Sequence, residues 1–268
     1  MKVLVIGAGN MGLTYAEGMS KSKLLEGNNI MVLDNSEEKL KELDEIPYFD
    51  AYRDLKECVP SADVIFIAVK PFHAESVFEN IKPYTNKNQI IVSVMAGVTI
   101  GAMQKMSGLD KVVRAMPNLP AQIGKGLTSF VASAEVSKDE ASAVETLLST
   151  TGKSLEVSNE NFIDASTGIS GSGPAYVFFF MESMMKAAAE MGFSKEDGTT
   201  LVTQTFAGAV ELFSQSDITP REWMDRVASK GGTTRAALNS LEDNKVDVLI
   251  RDAAYAAFNR AIELGEEH

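Results

Sequence analysis

The sequence predicts an α/β fold: a doubly wound parallel sheet over residues 1–160, followed by an all-helical region over residues 161–268. Two observations predict it. Short β-branched apolar runs alternate with helical patterns through the first part, as buried parallel strands and their crossover helices do. From Asn161 onward the composition shifts to Ala, Met and Phe in long helical patterns, and strand-like runs cease.

The first run, KVLVI, leads directly into Gly7-Ala8-Gly9-Asn10-Met11-Gly12, and a helical pattern follows. Strand, glycine turn and helix make the first half of a βαβ unit. Residues 29–33 (NIMVL) are the second strand, closed by Asp34, and Ser36 caps a polar helix reaching Leu43. Two further buried strands, 62–69 (ADVIFIAV) and 89–95 (QIIVSVM), end at Lys70-Pro71 and Ala96-Gly97. Residues 111–115 and 126–132 are strand candidates around the loop Met116-Pro117-Asn118-Leu119-Pro120, and residues 138–150 are helical.

In the second region Ser172 before Pro174 suits an N-cap, and Gly192 suits the stop of the helix before it. Ser194 with Asp197, and Thr219 with Glu222, mark two further helix starts. Residues 246–264 form a last long helix closed by Gly265. Residues 175–189 and 201–213 are apolar on nearly every side, so they need cover on every side, which a second copy of the chain would supply.

Bulk composition narrows the function classes. With 268 residues, 45% hydrophobic, the chain is long enough for two domains. Its apolar runs are too short to span a bilayer and it opens directly on a strand, so the expectation is a cytoplasmic protein without a membrane. A net charge of −12 opposes nucleic-acid binding. One cysteine and two histidines argue against a metal site.

Chemistry enters with the glycines. In G-x-G-x-x-G between a strand and a helix, Gly7, Gly9 and Gly12 allow a tight turn, close approach of pyrophosphate and close helix–strand packing, while Ala8, Asn10 and Met11 complete the loop. Asp34, 22 residues after Gly12, can accept from an adenosine ribose diol, which favours NADH; it also reads as a helix-start residue. Ala68-Val69-Lys70-Pro71 and Ala96-Gly97 lie at carboxyl ends of strands, where such sheets bind ligands. There Lys70 is either a cofactor contact or merely solvated, and His73 reads as a surface turn before it reads as an acid. Ser229-Lys230-Gly231-Gly232-Thr233-Thr234, at a helix start, is either an anion cradle or an ordinary Thr-capped helix.

Five ordered motifs then resemble the pyrroline-5-carboxylate reductase family across essentially the whole chain: AVKP (68–71), AGVTI (96–100), RAMPNLP (114–120), SGSGPAY (170–176) and GGTT (231–234). The resemblance implies a Rossmann-type domain followed by a helical domain that dimerises and in some members builds larger rings. It implies reduction of the C=N bond of L-1-pyrroline-5-carboxylate by NADH or NADPH to give L-proline, the last step of proline biosynthesis. Carried over by position, Thr234 bonds the ring nitrogen, making it the catalytic residue, while Ser229 and the loop Gly231, Gly232, Thr233 and Thr234 hold the carboxylate. Glu160 matches an acidic position near the substrate in some relatives. Lys230 stands where the family usually has proline and Asp217 where many members have glutamate. Two other readings use the same plan: a reductase of a different imine or 2-hydroxy acid, and a silent dinucleotide-binding regulator. The other reductases lack GSGPAY and GGTT together, and many use a catalytic lysine that residues 163–168 do not offer; the intact Thr234 loop argues against the regulator.

Overall fold

A computed structural model describes residues 1–22, 24–25, 29–47 and 49–266. The chain divides into two compact units, Met1–Ser172 with Ala256–His268, and Gly173–Tyr255. The change of composition at Asn161 therefore falls inside the first unit, which also takes in the end of the last helix from Ala256.

The first unit carries one eight-stranded sheet. Its strands are β1 (Val3–Ile6), β2 (Ile30–Leu33), β3 (Asp50–Tyr52), β4 (Val64–Ile67), β5 (Ile90–Ser93), β6 (Val112–Met116), β7 (Gly126–Ala132) and β8 (Gly152–Glu156). They lie in the order β3-β2-β1-β4-β5-β6-β7-β8. All pairings are parallel except β6 with β7, which the loop 117–125 turns back on itself. Strand order reverses between β1 and β4, which opens a crevice at their carboxyl ends.

The unbroken apolar strands follow from burial on both faces. Val3, Val5, Ile30, Val32, Val64 and Phe66 enter one core with Tyr15, Ala16 and Met19 of α1 (Asn10–Lys21) and Val144, Leu147 and Leu148 of α6 (Lys138–Leu148). Leu4, Ile6, Met31, Leu33, Ile65 and Ile67 enter the other with Phe78 and Ile81 of α4 (Ala74–Ile81) and Met103 of α5 (Ile100–Ser107). The period of two along each strand assigns alternate residues to opposite cores. Each such side chain contributes roughly 1.5–3 kcal/mol on burial. The Tyr15 hydroxyl and Thr128 Oγ1, 2.7 Å apart, tie α1 to β7. Burial pushes the phenol up to about 12, so it stays protonated at neutral pH.

Helix starts follow their caps. Ser36 accepts from Lys39 N at the start of α2 (Glu37–Asp44), and Asp54 accepts from Lys56 N at the start of the short α3 (Leu55–Cys58). Ser172, in contrast, is no N-cap. α7 (Glu160–Ser166) continues through a π-helical turn, Thr167–Gly171, into α8 (Gly173–Glu190), and Ser172 N donates to Thr167 O at 2.9 Å. Pro174 then falls in the first turn of α8, where its missing N–H costs no helical bond.

In the second unit, α8 ends where Phe193 N reaches back to Ala188 O. α9 (Lys195–Ser214) follows Ser194, whose hydroxyl accepts from Asp197 N, and α10 (Pro220–Val227) opens with a full capping box between Thr219 and Glu222. α11 (Thr233–Asp243) follows, and α12 (Val246–Glu266) begins in this unit and passes at Ala256 into the first. Gly265 does not close α12: it lies within the helix, close to Gly97, where a Cβ would stand 3.1 Å from the Gly97 oxygen. α8 and α9 pack through Ala188 and Gly198, yet Phe178, Phe179, Val210 and Leu212 remain exposed. Phe179 is 68% exposed. Apolar faces of this extent mark an association surface.

Light scattering on the purified chain should therefore give at least twice 28.9 kDa. Phe179→Glu should shift the population toward monomer, whereas a parent chain that runs as a stable monomer would remove this account of the exposed faces.

Candidate active site

The glycine loop is shaped by what its side chains would strike. Gly7 takes φ +102°, and a Cβ there would lie 2.8 Å from the Ala68 oxygen on β4's carboxyl end. At Gly12 a Cβ would lie 1.9 Å from Gly7 O, so α1 can sit on the loop only without one. Gly9 differs: nothing lies within 4 Å of its missing Cβ, and as the N-cap of α1 it brings no side chain to the orphan N–H groups of the first turn. Open space in front of uncapped amides is what an anionic pyrophosphate needs, so the loop fits a dinucleotide.

A cavity of about 720 Å³ lies there, lined by Gly7, Gly9, Asn10, Met11, Asp34, Ala68, Val69, Lys70, Pro71 and Ala96. It gathers segments that are far apart in sequence at the β1/β4 crevice. Ala8 and Gly12 stand behind the rim: Ala8 N donates to Asp34 Oδ2 at 2.7 Å, and Gly12 packs inward. Gly97 takes the close approach of Leu264, whose Cβ would be 2.9 Å from an added Cβ. Ser36 N holds the other Asp34 oxygen at 2.9 Å. Motif reading missed several contributors, among them the polar Asn35 and Lys39 beyond Asp34, Leu55, and Asn80 near the end of α4. His73 also reaches the rim, with its ring against Phe72 at a centroid distance of 4.3 Å. Cβ direction gives the one signal that would have found Lys39, since a side chain three residues past a cap points back over the helix start.

Glu160 sits in a different network. Its Oε1 accepts from Ile100 N at 2.9 Å and from Arg114 Nη1 at 3.1 Å, while Arg114 Nη2 reaches Asp164 Oδ1 at 2.5 Å. Arg114 is 2% exposed, and its Nε has no hydrogen-bond partner among the described residues. Burial pushes the Asp164 carboxyl above its ordinary value, against the pull of the guanidinium. The cluster joins β6, the start of α5 and α7. Just beyond, Asn118 takes the Leu127 N–H on Oδ1 at 2.9 Å and gives its amide to Ser170 Oγ at 3.1 Å. The π-turn that leads into GSGPAY is thus fastened to the sheet.

The GGTT segment belongs to the second unit. Gly231 takes φ +75°, and Gly232 N closes the turn on Ser229 O at 3.0 Å. A Cβ at Gly232 would lie 2.5 Å from Ser229 Oγ, so the glycine makes room for that hydroxyl. Gly232 is the N-cap of α11 and supplies no side-chain cap, so Thr233, Thr234 and Arg235 occupy the first turn, whose N–H groups have no acceptor within the helix. Thr233 and Thr234 are therefore residues of the helix and do not cap it.

Fold and site define a dinucleotide-binding α/β unit followed by a helical unit in which α11 starts without a side-chain cap. Residues 160–264 match the family model for pyrroline-5-carboxylate reductase dimerisation, and residues 2–97 match that for coenzyme F420-dependent NADP oxidoreductase. The chain is 37% identical to pyrroline-5-carboxylate reductase 2 of Bacillus subtilis over 99% of its length and 96% of the relative's. It is 32% identical to the Arabidopsis thaliana enzyme, over 99% and 96%. The solved pyrroline-5-carboxylate reductase of Coxiella burnetii superposes with a TM-score of 0.91 at 33% identity, over 98% of both chains. That of Plasmodium falciparum, with NADP bound, gives 0.89 at 31% identity, over 99% and 98%. The chain belongs to the pyrroline-5-carboxylate reductase family.

Removing Arg114 leaves two carboxylates facing each other without their cation. Arg114→Ala should cost about 3–5 kcal/mol in urea unfolding, and Arg114→Met with Asp164→Leu clearly less. A loss below about 1 kcal/mol for the single change would show that the cluster does not anchor α7.

Proposed function

We infer that the chain reduces the C=N bond of L-1-pyrroline-5-carboxylate to L-proline with NADH or NADPH, the closing step of proline biosynthesis. The observation that carries this is one chain combining an open Gly9 cradle on the sheet with an uncapped Gly232–Thr234 helix start, within a family whose members bear that name.

Residues 1–160 serve as the cofactor-binding domain and residues 161–268 as the substrate-binding and dimerisation domain. Gly7, Ala8, Gly9, Asn10, Met11 and Gly12 form the pyrophosphate loop, and Asp34 faces the adenosine ribose. Ala68, Val69, Lys70, Pro71, Ala96 and Gly97 form the wall toward the nicotinamide. Bound there, the cofactor supplies the hydride for the imine carbon. Amides of Thr233 and Thr234 hold the substrate carboxylate at the positive end of α11, with Gly231 and Gly232 keeping the backbone bare and Ser229 adding its hydroxyl. Thr234 Oγ1 hydrogen-bonds the ring nitrogen where the electron pair arrives. The proton travels with an already protonated imine or is relayed from water through that hydroxyl. Glu160, matching an acidic position near the substrate in some relatives, is the substrate-side carboxylate, with Oε1 held by Arg114 and Ile100 N.

The working unit is a homo-oligomer built from dimers, and the compartment is the cytoplasm. No helix among the described residues is long and apolar enough to cross a membrane. The net charge of −12 supports a small-molecule partner over a nucleic acid.

The direct test is oxidation of NADH and NADPH by the purified chain with pyrroline-5-carboxylate. Thr234→Ala should lower kcat/KM by roughly 30- to 1,000-fold, the range of about 2–4 kcal/mol for one hydrogen bond to developing charge. Thr234→Ser should lose much less and Thr233→Ala little, with dinucleotide affinity held. Full activity in Thr234→Ala would reduce the hydroxyl to a bystander. NADH should show the higher kcat/KM because Asp34 repels a 2′-phosphate, and Asp34→Ala should narrow the gap. A clear NADPH preference in the parent would contradict that role of Asp34.

A further inference from the structure

Resting on the dinucleotide-binding reading of the cavity, we propose that Lys39 receives the 2′-phosphate of NADPH and thereby limits the preference for NADH that Asp34 imposes. The acid at the end of β2 is not free to turn away from an incoming phosphate. Ala8 N and Ser36 N hold its two oxygens at 2.7 and 2.9 Å, and the side chain is only 13% exposed. A phosphate on the neighbouring ribose hydroxyl would meet this fixed negative charge, and something basic has to stand beside it if NADPH is to bind.

Lys39 is placed to do so. It lines the same cavity as Asp34, Asn35 and Gly9, and its Nζ lies 3.6 Å from Asp34 Oδ2. Ser36 fixes its position by capping α2 through the Lys39 N–H, and the backward tilt of Cβ along a helix sends the side chain over the helix start. Among the described lining residues the other lysine is Lys70, at the end of β4, on the far side of β1 from β2. The acids of α2's first turn, Glu37 and Glu38, are exposed and do not line the cavity.

The ion pair with Asp34 does not commit the ammonium. At 3.6 Å it exceeds hydrogen-bond distance, and the lysine side chain is 44% exposed. Such pairs contribute little, so Lys39 loses little in turning toward a doubly charged phosphate, which offers a stronger charge-assisted bond. With NADH it simply offsets part of the Asp34 charge. Lys39 is therefore a specificity-determining residue whose contact appears with one cofactor only.

Calorimetric titration of the full chain with NADPH, NADH, 2′,5′-ADP and 5′-ADP tests this, with folding checked by circular dichroism. In Lys39→Ala the Kd ratio of NADPH to NADH should rise about tenfold, the size of one exposed charge-assisted contact, and that of 2′,5′-ADP to 5′-ADP should rise alike. Lys39→Arg should keep both ratios within about threefold of the parent, since a guanidinium also binds phosphate. Ratios that stay fixed in Lys39→Ala, because both ligands weaken equally or neither does, would overturn the proposal. A parent chain that binds neither dinucleotide would instead overturn the reading of the cavity itself, and Lys39 with it.

Discussion

The contact between α1 and the loop it follows is the constraint on which the rest of the site depends. With hydrogen alone at Gly12, the helix can sit on the Gly7 carbonyl; any Cβ would lie 1.9 Å from that oxygen. This closeness sets the helix on the carboxyl end of β1, directly over the point where strand order reverses. Its first-turn amides then face the crevice. Asp34 strengthens the arrangement by accepting from Ala8 N, so the acid at the end of β2 also pins the loop. The placing of the α1 dipole at the cavity thus rests on one steric allowance and one charge-assisted hydrogen bond.

A second anchor acts at the other side of the sheet. Arg114 is buried among apolar strands and finds its partners on α7, so the segment that leads into SGSGPAY cannot move independently of β6. Buried ion pairs of this kind add little net stability, because desolvation offsets attraction, and the raised carboxyl of Asp164 is that offset made visible. Their contribution is register. Asn118 extends it, bridging the β6–β7 loop to Ser170 in the π-turn.

Most of the fold was legible because buried parallel strands announce themselves: β1, β2, β4 and β5 are all fully buried, and their apolar runs are continuous. β3 and β8 escaped notice for the converse reason, being short, half-exposed edge strands (DAY and GKSLE) with little apolar pattern. Ser172 and Gly265 looked like helix boundaries because local propensity favours them there. Tertiary packing overrode it, through the π-turn at one and the close approach of Gly97 at the other. In the site, the glycine loop, Asp34 and the strand-end loops were readable as motifs. Lys39 was marked only by its place three residues past the Ser36 cap, and Asn80 by nothing in its local sequence; the fold brings both to the cavity. Glu160 was visible by resemblance alone, and its engagement by Arg114, 46 residues away, is not written in any spacing.

Whether the loop is a cradle for pyrophosphate is tested most directly at Gly9, the one glycine of the three whose missing side chain faces empty space. Dinucleotide affinity of Gly9→Ala should be measured by titration alongside its urea unfolding curve. The account predicts an unchanged midpoint, because the methyl meets no protein atom within 4 Å, together with at least a tenfold loss of NADH affinity, about 1.4 kcal/mol. A Gly9→Ala chain that binds NADH as tightly as the parent would show that no pyrophosphate lies against that loop.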